Sequence, residues 1–87
     1  MKLAAIDIGS NAIRLLIKRV VIEKESVNTD KILLLRVPLR LGEDVFKEGR
    51  ILDDKREKLL KVIKSFKLLM EVNEVDDYRA CATSAMR

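Results

Sequence analysis

Residues 3–8, Leu-Ala-Ala-Ile-Asp-Ile, are apolar except for Asp7. A nearly unbroken apolar run followed by Gly9-Ser10-Asn11 predicts a strand buried on both faces that ends in a tight turn. Residues 12–24 are rich in β-branched side chains and become more charged toward their far end, as a second strand does when it leaves a core. The polar stretch Glu25-Ser26-Val27-Asn28-Thr29-Asp30 predicts a turn. From residue 31 to 41 the odd positions Leu33, Leu35, Val37, Leu39 and Leu41 are apolar, with Arg36, Pro38 and Arg40 between them. That alternation predicts a half-buried third strand, and Pro38, which has no N–H for a ladder, places it at the sheet edge.

Residues 42–49 then read as a loop, after which Asp53 or Asp54 supplies an N-cap. A helix of about five turns is expected to run to Asn73. Its stripe is Leu59, Ile63, Phe66 and Met70, spaced by three and four and widened by Leu60, Val62 and Leu69. Lys58, Lys61, Lys64 and Lys67 fall mostly on the remaining, solvated surface, and Glu57 precedes Lys61 by four residues in the favourable order. Residues 78–83 form a short fourth strand reached through this crossover helix, which favours parallel pairing with an earlier strand. The order is β-β-β-α-β in an α/β fold, and Arg87 falls where a second helix is expected to start.

Composition narrows the function classes. With 87 residues, 48% hydrophobic and 37% charged, the chain fits one small domain or part of a larger one, and it is too apolar for intrinsic disorder. No run approaches the roughly 20 apolar residues of a bilayer span. The opening Met1-Lys2-Leu3-Ala4-Ala5-Ile6 imitates a signal peptide, but Asp7 interrupts it, so a cytoplasmic protein without membrane attachment is expected. A single Cys81 between alanines reads as a small buried strand residue rather than a nucleophile, and one cysteine excludes an internal disulfide. The net charge of +4 is spread evenly, with no basic tail, and Phe46, Phe66 and Tyr78 are the only aromatic residues. Specific nucleic-acid binding is therefore not expected, whereas an anionic small ligand is compatible.

The informative chemistry lies in Asp7-x-Gly9-Ser10-Asn11. Glycine removes the Cβ where the backbone approaches something closely. Successive N–H groups at such a bend form an anion-binding concavity, to which the Ser10 hydroxyl and Asn11 amide add donors. Asp7 repels a bare phosphate, but a Mg²⁺ ion held by Asp7 reverses that sign. The plain alternative is an ordinary hairpin turn. At the other end, Ala82-Thr83-Ser84-Ala85-Met86-Arg87 leaves a strand with small and hydroxylic residues. If the first and fourth strands are parallel neighbours, their carboxyl ends meet where open α/β sheets bind ligands, and Arg87 reaches the same anion. Alone, such an arginine is an ordinary solvated residue.

Ala5-Ile6-Asp7-Ile8-Gly9-Ser10-Asn11, then Arg40-Leu41-Gly42-Glu43 with Gly49-Arg50-Ile51 and a helix, then Ala82-Thr83-Ser84-Ala85-Met86-Arg87 together resemble the exopolyphosphatase and guanosine pentaphosphate phosphohydrolase family. The resemblance covers the whole chain, as the start of such a protein. It implies the fold group of actin, sugar kinases and heat-shock chaperone ATPases, with residues 1–87 forming part of a first, ribonuclease H-like lobe with a mixed sheet. It implies phosphate binding by Asp7, Gly9, Ser10, Asn11 and Arg87, with Mg²⁺ at Asp7 and polyphosphate or guanosine pentaphosphate as ligand. Ala12 stands where relatives commonly carry Ser or Thr, and Arg14 matches a basic position often seen after the loop.

The family's catalytic glutamate, second phosphate loop and second lobe are expected beyond Arg87. Hydrolysis of a phosphoanhydride needs a positioned nucleophile and charge stabilisation from both sides, so no useful turnover is expected from these residues alone. Two other readings are a piece of an ATP-dependent sugar or acetate-type kinase, against which the Ala82-Thr83-Ser84-Ala85-Met86-Arg87 segment argues, and a noncatalytic binding or assembly module. One helix covers one sheet face only, so self-association through the uncovered face is expected.

Overall fold

A computed structural model describes residues 1–49 and 52–82. The segment Thr83-Ser84-Ala85-Met86-Arg87 lies outside the described residues, as do Arg50 and Ile51. The elements are β1 (Lys2–Ile8), β2 (Ala12–Ile22), β3 (Val27–Pro38), α1 (Leu41–Glu48), α2 (Asp53–Val72) and β4 (Asp77–Ala82). They form a mixed four-stranded sheet of order β3-β2-β1-β4, with β1 antiparallel to β2, β2 antiparallel to β3, and β4 parallel to β1. The expected α/β class, the edge position of the Pro38 strand and the parallel return after the long helix are all present.

The core lies on one side of the sheet. Ala4 and Ile6 of β1 and Ile13, Leu15 and Ile17 of β2 point into it and meet Leu59, Phe66 and Met70 of α2. Phe66, Ile13, Leu15, Ile17 and Leu41 are fully buried, each contributing about 1.5–3 kcal/mol relative to exposure. In α2 the stripe is as expected except for Leu60, which is 53% exposed. One residue after Leu59 is about 100° around a helix, which takes Leu60 off the buried face. Lys58, Lys61, Lys64 and Lys67 are exposed, as a solvated face requires.

Several expectations are corrected. Strand β1 is buried on one face only: Ala5 is exposed between the buried Ala4 and Ile6, because nothing among the described residues packs on the opposite side, and Cys81 of the edge strand β4 is exposed rather than buried. The second turn is shorter than its polar composition suggests. Residues Glu23 and Ser26 bond to each other across it, and β3 already begins at Val27. Polar Asn28, Thr29 and Asp30 are tolerated there because the outer end of the hairpin projects beyond the core, where residues 23–31 are all exposed. This arm explains a longest dimension of 52 Å and a radius of gyration of 15.1 Å, against about 12 Å for a compact chain of this length. A register shift at Ile17/Lys18 leaves Ile32 as an extra residue in β3, so both Ile32 and Leu33 pack against the core and the alternation is broken at that point.

Residues 42–49 are not a loop, since most of them form α1, which ends at Gly49 in a left-handed conformation (φ 72°). The cap of α2 is Leu52, with extended backbone and no side-chain bond, while Asp53 and Asp54 sit in the first turn against the positive helix end. At the other end, the N–H of Val75 bonds the carbonyl of Met70 (3.0 Å) and that of Glu74 bonds Glu71 (3.1 Å), the paired bonds of a Schellman stop. Glu74 occupies its left-handed position (φ 56°), where a side chain costs about 1 kcal/mol. Replacing Glu74 by Gly is therefore expected to raise the unfolding free energy by about 0.5–1 kcal/mol, a rise in Tm of roughly 2–8 °C. Thermal melts showing no gain would contradict the strain assigned to this position.

Candidate functional site

The turn Gly9-Ser10-Asn11 joins β1 to β2, and its shape is set from three sides. The N–H of Gly9 donates to the carbonyl of Ala12 at 3.0 Å, closing the hairpin. A Cβ on residue 9 would lie 3.1 Å from that same oxygen, so Gly9 serves close approach, and its own N–H is engaged within the hairpin. The carbonyl of Ser10 accepts from Gly42 N–H at 2.8 Å, and that of Asn11 accepts from Leu39 N–H at 3.2 Å and Arg40 N–H at 3.0 Å. A trans peptide points its C=O and N–H in opposite directions. Drawing the Ser10 carbonyl toward Gly42 therefore turns the N–H of Asn11 away from that segment.

The segment that grips the turn has its own logic. Arg40 takes a left-handed conformation (φ 54°), which bends the chain out of β3. Leu41 is fully buried in the core and pins the start of α1. Gly42 then lies so near the turn that a Cβ on it would sit 3.0 Å from the Ser10 Cβ. The Arg40-Leu41-Gly42-Glu43 motif is thus brought against the Gly9-Ser10-Asn11 turn. Sequence reading placed both motifs and missed their contact, for which the buried Leu41 closing the alternation of β3 was the available signal.

The N–H groups and side chains of Ser10 and Asn11 have no hydrogen-bond partner among the described residues. They are partly or fully exposed, so these donors are open to an anion from solution. Asp7, half-buried, lies at the carboxyl end of β1 beside them, on the sheet face opposite the core. Arg14 stands directly across from Asp7 and is exposed on that face. The described residues hold no group of three or more metal-ligating side chains. Asp7 places one carboxylate beside these N–H donors, and a single carboxylate is a ligand set compatible with Mg²⁺, which keeps much of its water.

Strand β4 pairs with β1 in parallel register, Ile8 beside Ala82, so the carboxyl ends of both strands lie together at the turn. Arg87, expected to join the site from there, lies outside the described residues. Gly42→Ala tests the grip on the turn: the added methyl forces the α1 start away from Ser10, with an expected loss of about 1–3 kcal/mol. The Ser10 and Asn11 amide resonances are expected to move with it. Unchanged denaturation and unchanged resonances would show that the contact does not hold the turn.

Protein-family models and curated proteins gave no match to the sequence. Among solved structures, the Aquifex aeolicus Ppx/GppA phosphatase superposes with a TM-score of 0.83 and 34% identity, over 98% of this chain and 27% of that one. An exopolyphosphatase-like protein follows at 31% identity and TM-score 0.79, over 97% of this chain and 24% of its own. An exopolyphosphatase from Cytophaga hutchinsonii, at 24% identity and TM-score 0.84, shares the fold. The chain spans about a quarter of the length of these proteins. Over that span, in sequence and in fold, the chain is similar to the first part of Ppx/GppA family structures.

Proposed function

We propose that this chain is the amino-terminal part of an exopolyphosphatase-like phosphohydrolase that releases terminal phosphate from polyphosphate or guanosine pentaphosphate, and that its own share is to bind phosphate and metal. The observation that carries this reading is the turn itself, where, beside Asp7, the N–H groups of Ser10 and Asn11 have no partner among the described residues while the carbonyls are tied back to residues 39–42. The kinship with a phosphatase at 34% identity supports it.

In this reading the N–H groups of Ser10 and Asn11, the Ser10 hydroxyl and the Asn11 amide bind the phosphoryl oxygens. Gly9 lets the backbone approach without a Cβ in the way. Asp7 would hold a divalent cation directly or through water, and that cation would supply positive charge that offsets the carboxylate's repulsion of phosphate. Arg87 adds a bidentate contact. Activation of the attacking water and the second half of the phosphate clamp belong to parts beyond these residues, so binding without turnover is the expected behaviour of the isolated chain.

Titration of the isotopically labelled chain with orthophosphate is expected to shift the Ser10 and Asn11 amides more strongly with Mg²⁺ present than without it. Asp7→Asn should remove the Mg²⁺ dependence. Phosphate shifts elsewhere only, or polyphosphate hydrolysis by the 87-residue chain that Asp7→Ala abolishes, would overturn this division of labour.

The bare sheet face is proposed as a self-association surface. Its centre is Leu3, Leu16, Val20 and Leu34, and its rim carries Arg14, Lys18, Lys31, Arg36 and Arg79 against Asp7 and Asp77. Two such rims repel, and salt screens the repulsion. Sedimentation velocity is expected to show association that strengthens between 0.05 and 0.5 M salt, and a monomer throughout would exclude it.

A further inference from the structure

Register places Asp7, Arg14 and Arg36 in one row across the bare face, on β1, β2 and β3 in turn. Adjacent strands lie about 4.8 Å apart, so the row extends roughly 10 Å sideways from the turn. Arg14 and Arg36 are direct cross-strand neighbours of like charge, an arrangement that destabilises a sheet when nothing lies between the charges. Neither guanidinium has an ion pair among the described residues, and Asp7 faces Arg14 without closing one. Arg36 also lines a shallow, solvent-open depression of about 490 Å³ with Asn11, Pro38, Arg40 and Glu43. Arg40 pairs with Glu43 at 3.5 Å, but both side chains are more than half exposed, so the pair is weak and readily exchanged for a stronger anion.

We propose that Arg36 and Arg40, reached from the turn through Asn11 and flanked by Arg14, form a second anion subsite that takes the succeeding phosphoryl groups of a linear phosphate chain whose end sits at the turn. The subsite rests on the reading of that turn as a phosphate site. Two features favour a chain over a single phosphate. The depression is continuous with the turn through Asn11, and the cations of the row extend in one direction from it. Arginine forks on an open face bind several phosphoryl oxygens at once, which a row of lysines does with less geometric definition.

Calorimetric titration of the full 87-residue chain with tripolyphosphate and with orthophosphate, at low salt, tests the subsite. Arg36→Gln is expected to weaken tripolyphosphate roughly tenfold and to leave orthophosphate unchanged, with Arg36→Lys in between. Arg40→Asn, a residue that tolerates the left-handed backbone of this position, should act in the same direction and guards against misfolding of the first variant. Lys61→Gln, on the solvated face of α2, should change neither. If Arg36→Gln leaves tripolyphosphate affinity intact, or if Lys61→Gln weakens it equally, the subsite is overturned. If orthophosphate does not shift Ser10 and Asn11 while tripolyphosphate still depends on Arg36, the turn reading fails and the arginine subsite stands.

Discussion

Three backbone hydrogen bonds, from the N–H groups of Leu39, Arg40 and Gly42 to the carbonyls of Ser10 and Asn11, determine what the rest of the molecule can do. A short hairpin loop left to itself presents donors and acceptors alike to water and has no preference for an anion. Tying two carbonyls back removes acceptors from the turn and leaves the Ser10 and Asn11 N–H groups without a partner among the described residues. The tie holds because Leu41, lying between its donors, is buried without residual exposure. Hydrophobic burial of one side chain is in this way converted into the orientation of peptide dipoles a few ångströms away. The left-handed Arg40 is the strained link, costing about 1 kcal/mol, and it persists because Leu41 and Gly42 over-determine the path on either side.

The sheet is built to be covered on one side by this chain. Alternation sends Ile6, Ile13, Leu15 and Val37 toward α2, and with the same register it sends Asp7, Arg14 and Arg36 to the other side. The charged row and the hydrophobic core are therefore two consequences of a single period, and a slip of one residue would exchange them. Core packing thus protects the site register without contacting it. The relatives are about four times as long as this chain, so their remaining residues provide ample means to cover such a face.

Most of the fold was legible because its main signals are local. The apolar run before Gly9, the alternation around Leu35 and Val37, and the stripe of Leu59, Phe66 and Met70 each carry a period that one element imposes. What stayed hidden depends on contacts between distant residues. Helix α1 was read as a loop because it has only eight residues, with Gly42 near its start and Gly49 just past its end, which outweighed the helical spacing of Leu41, Val45 and Phe46. Its existence depends on the Leu41 anchor and on Gly49 to end it. Strand β3 was begun too late because Asn28, Thr29 and Asp30 are polar, and only pairing with β2 on a projecting arm makes polar residues acceptable there. At the site, Asp7, Gly9, Ser10 and Asn11 were legible as a constellation. The row through Arg14 and Arg36 was not, since it depends on a pairing register with a shift at Ile17/Lys18 that no single segment encodes.

For a turn that binds phosphate as proposed, a neighbouring carboxylate is unfavourable until a cation arrives, and this asymmetry orders the electrostatics of the whole end of the sheet. Asp7 opposes an anion at the turn, whereas Arg14 and Arg36 attract one progressively farther from it. A bare anion is therefore drawn to the β3 side of the row and repelled from its β1 side. A metal at Asp7 would level that gradient and let the terminal phosphate settle on the Ser10 and Asn11 N–H groups. On the proposed reading, the order of residues across the three strands, acid then base then base, would couple anion position to metal occupancy through charge alone, with no movement of the backbone required. The rigid tie between the turn and α1 suits that design, because a turn that could swing would relax the repulsion by moving and lose the coupling.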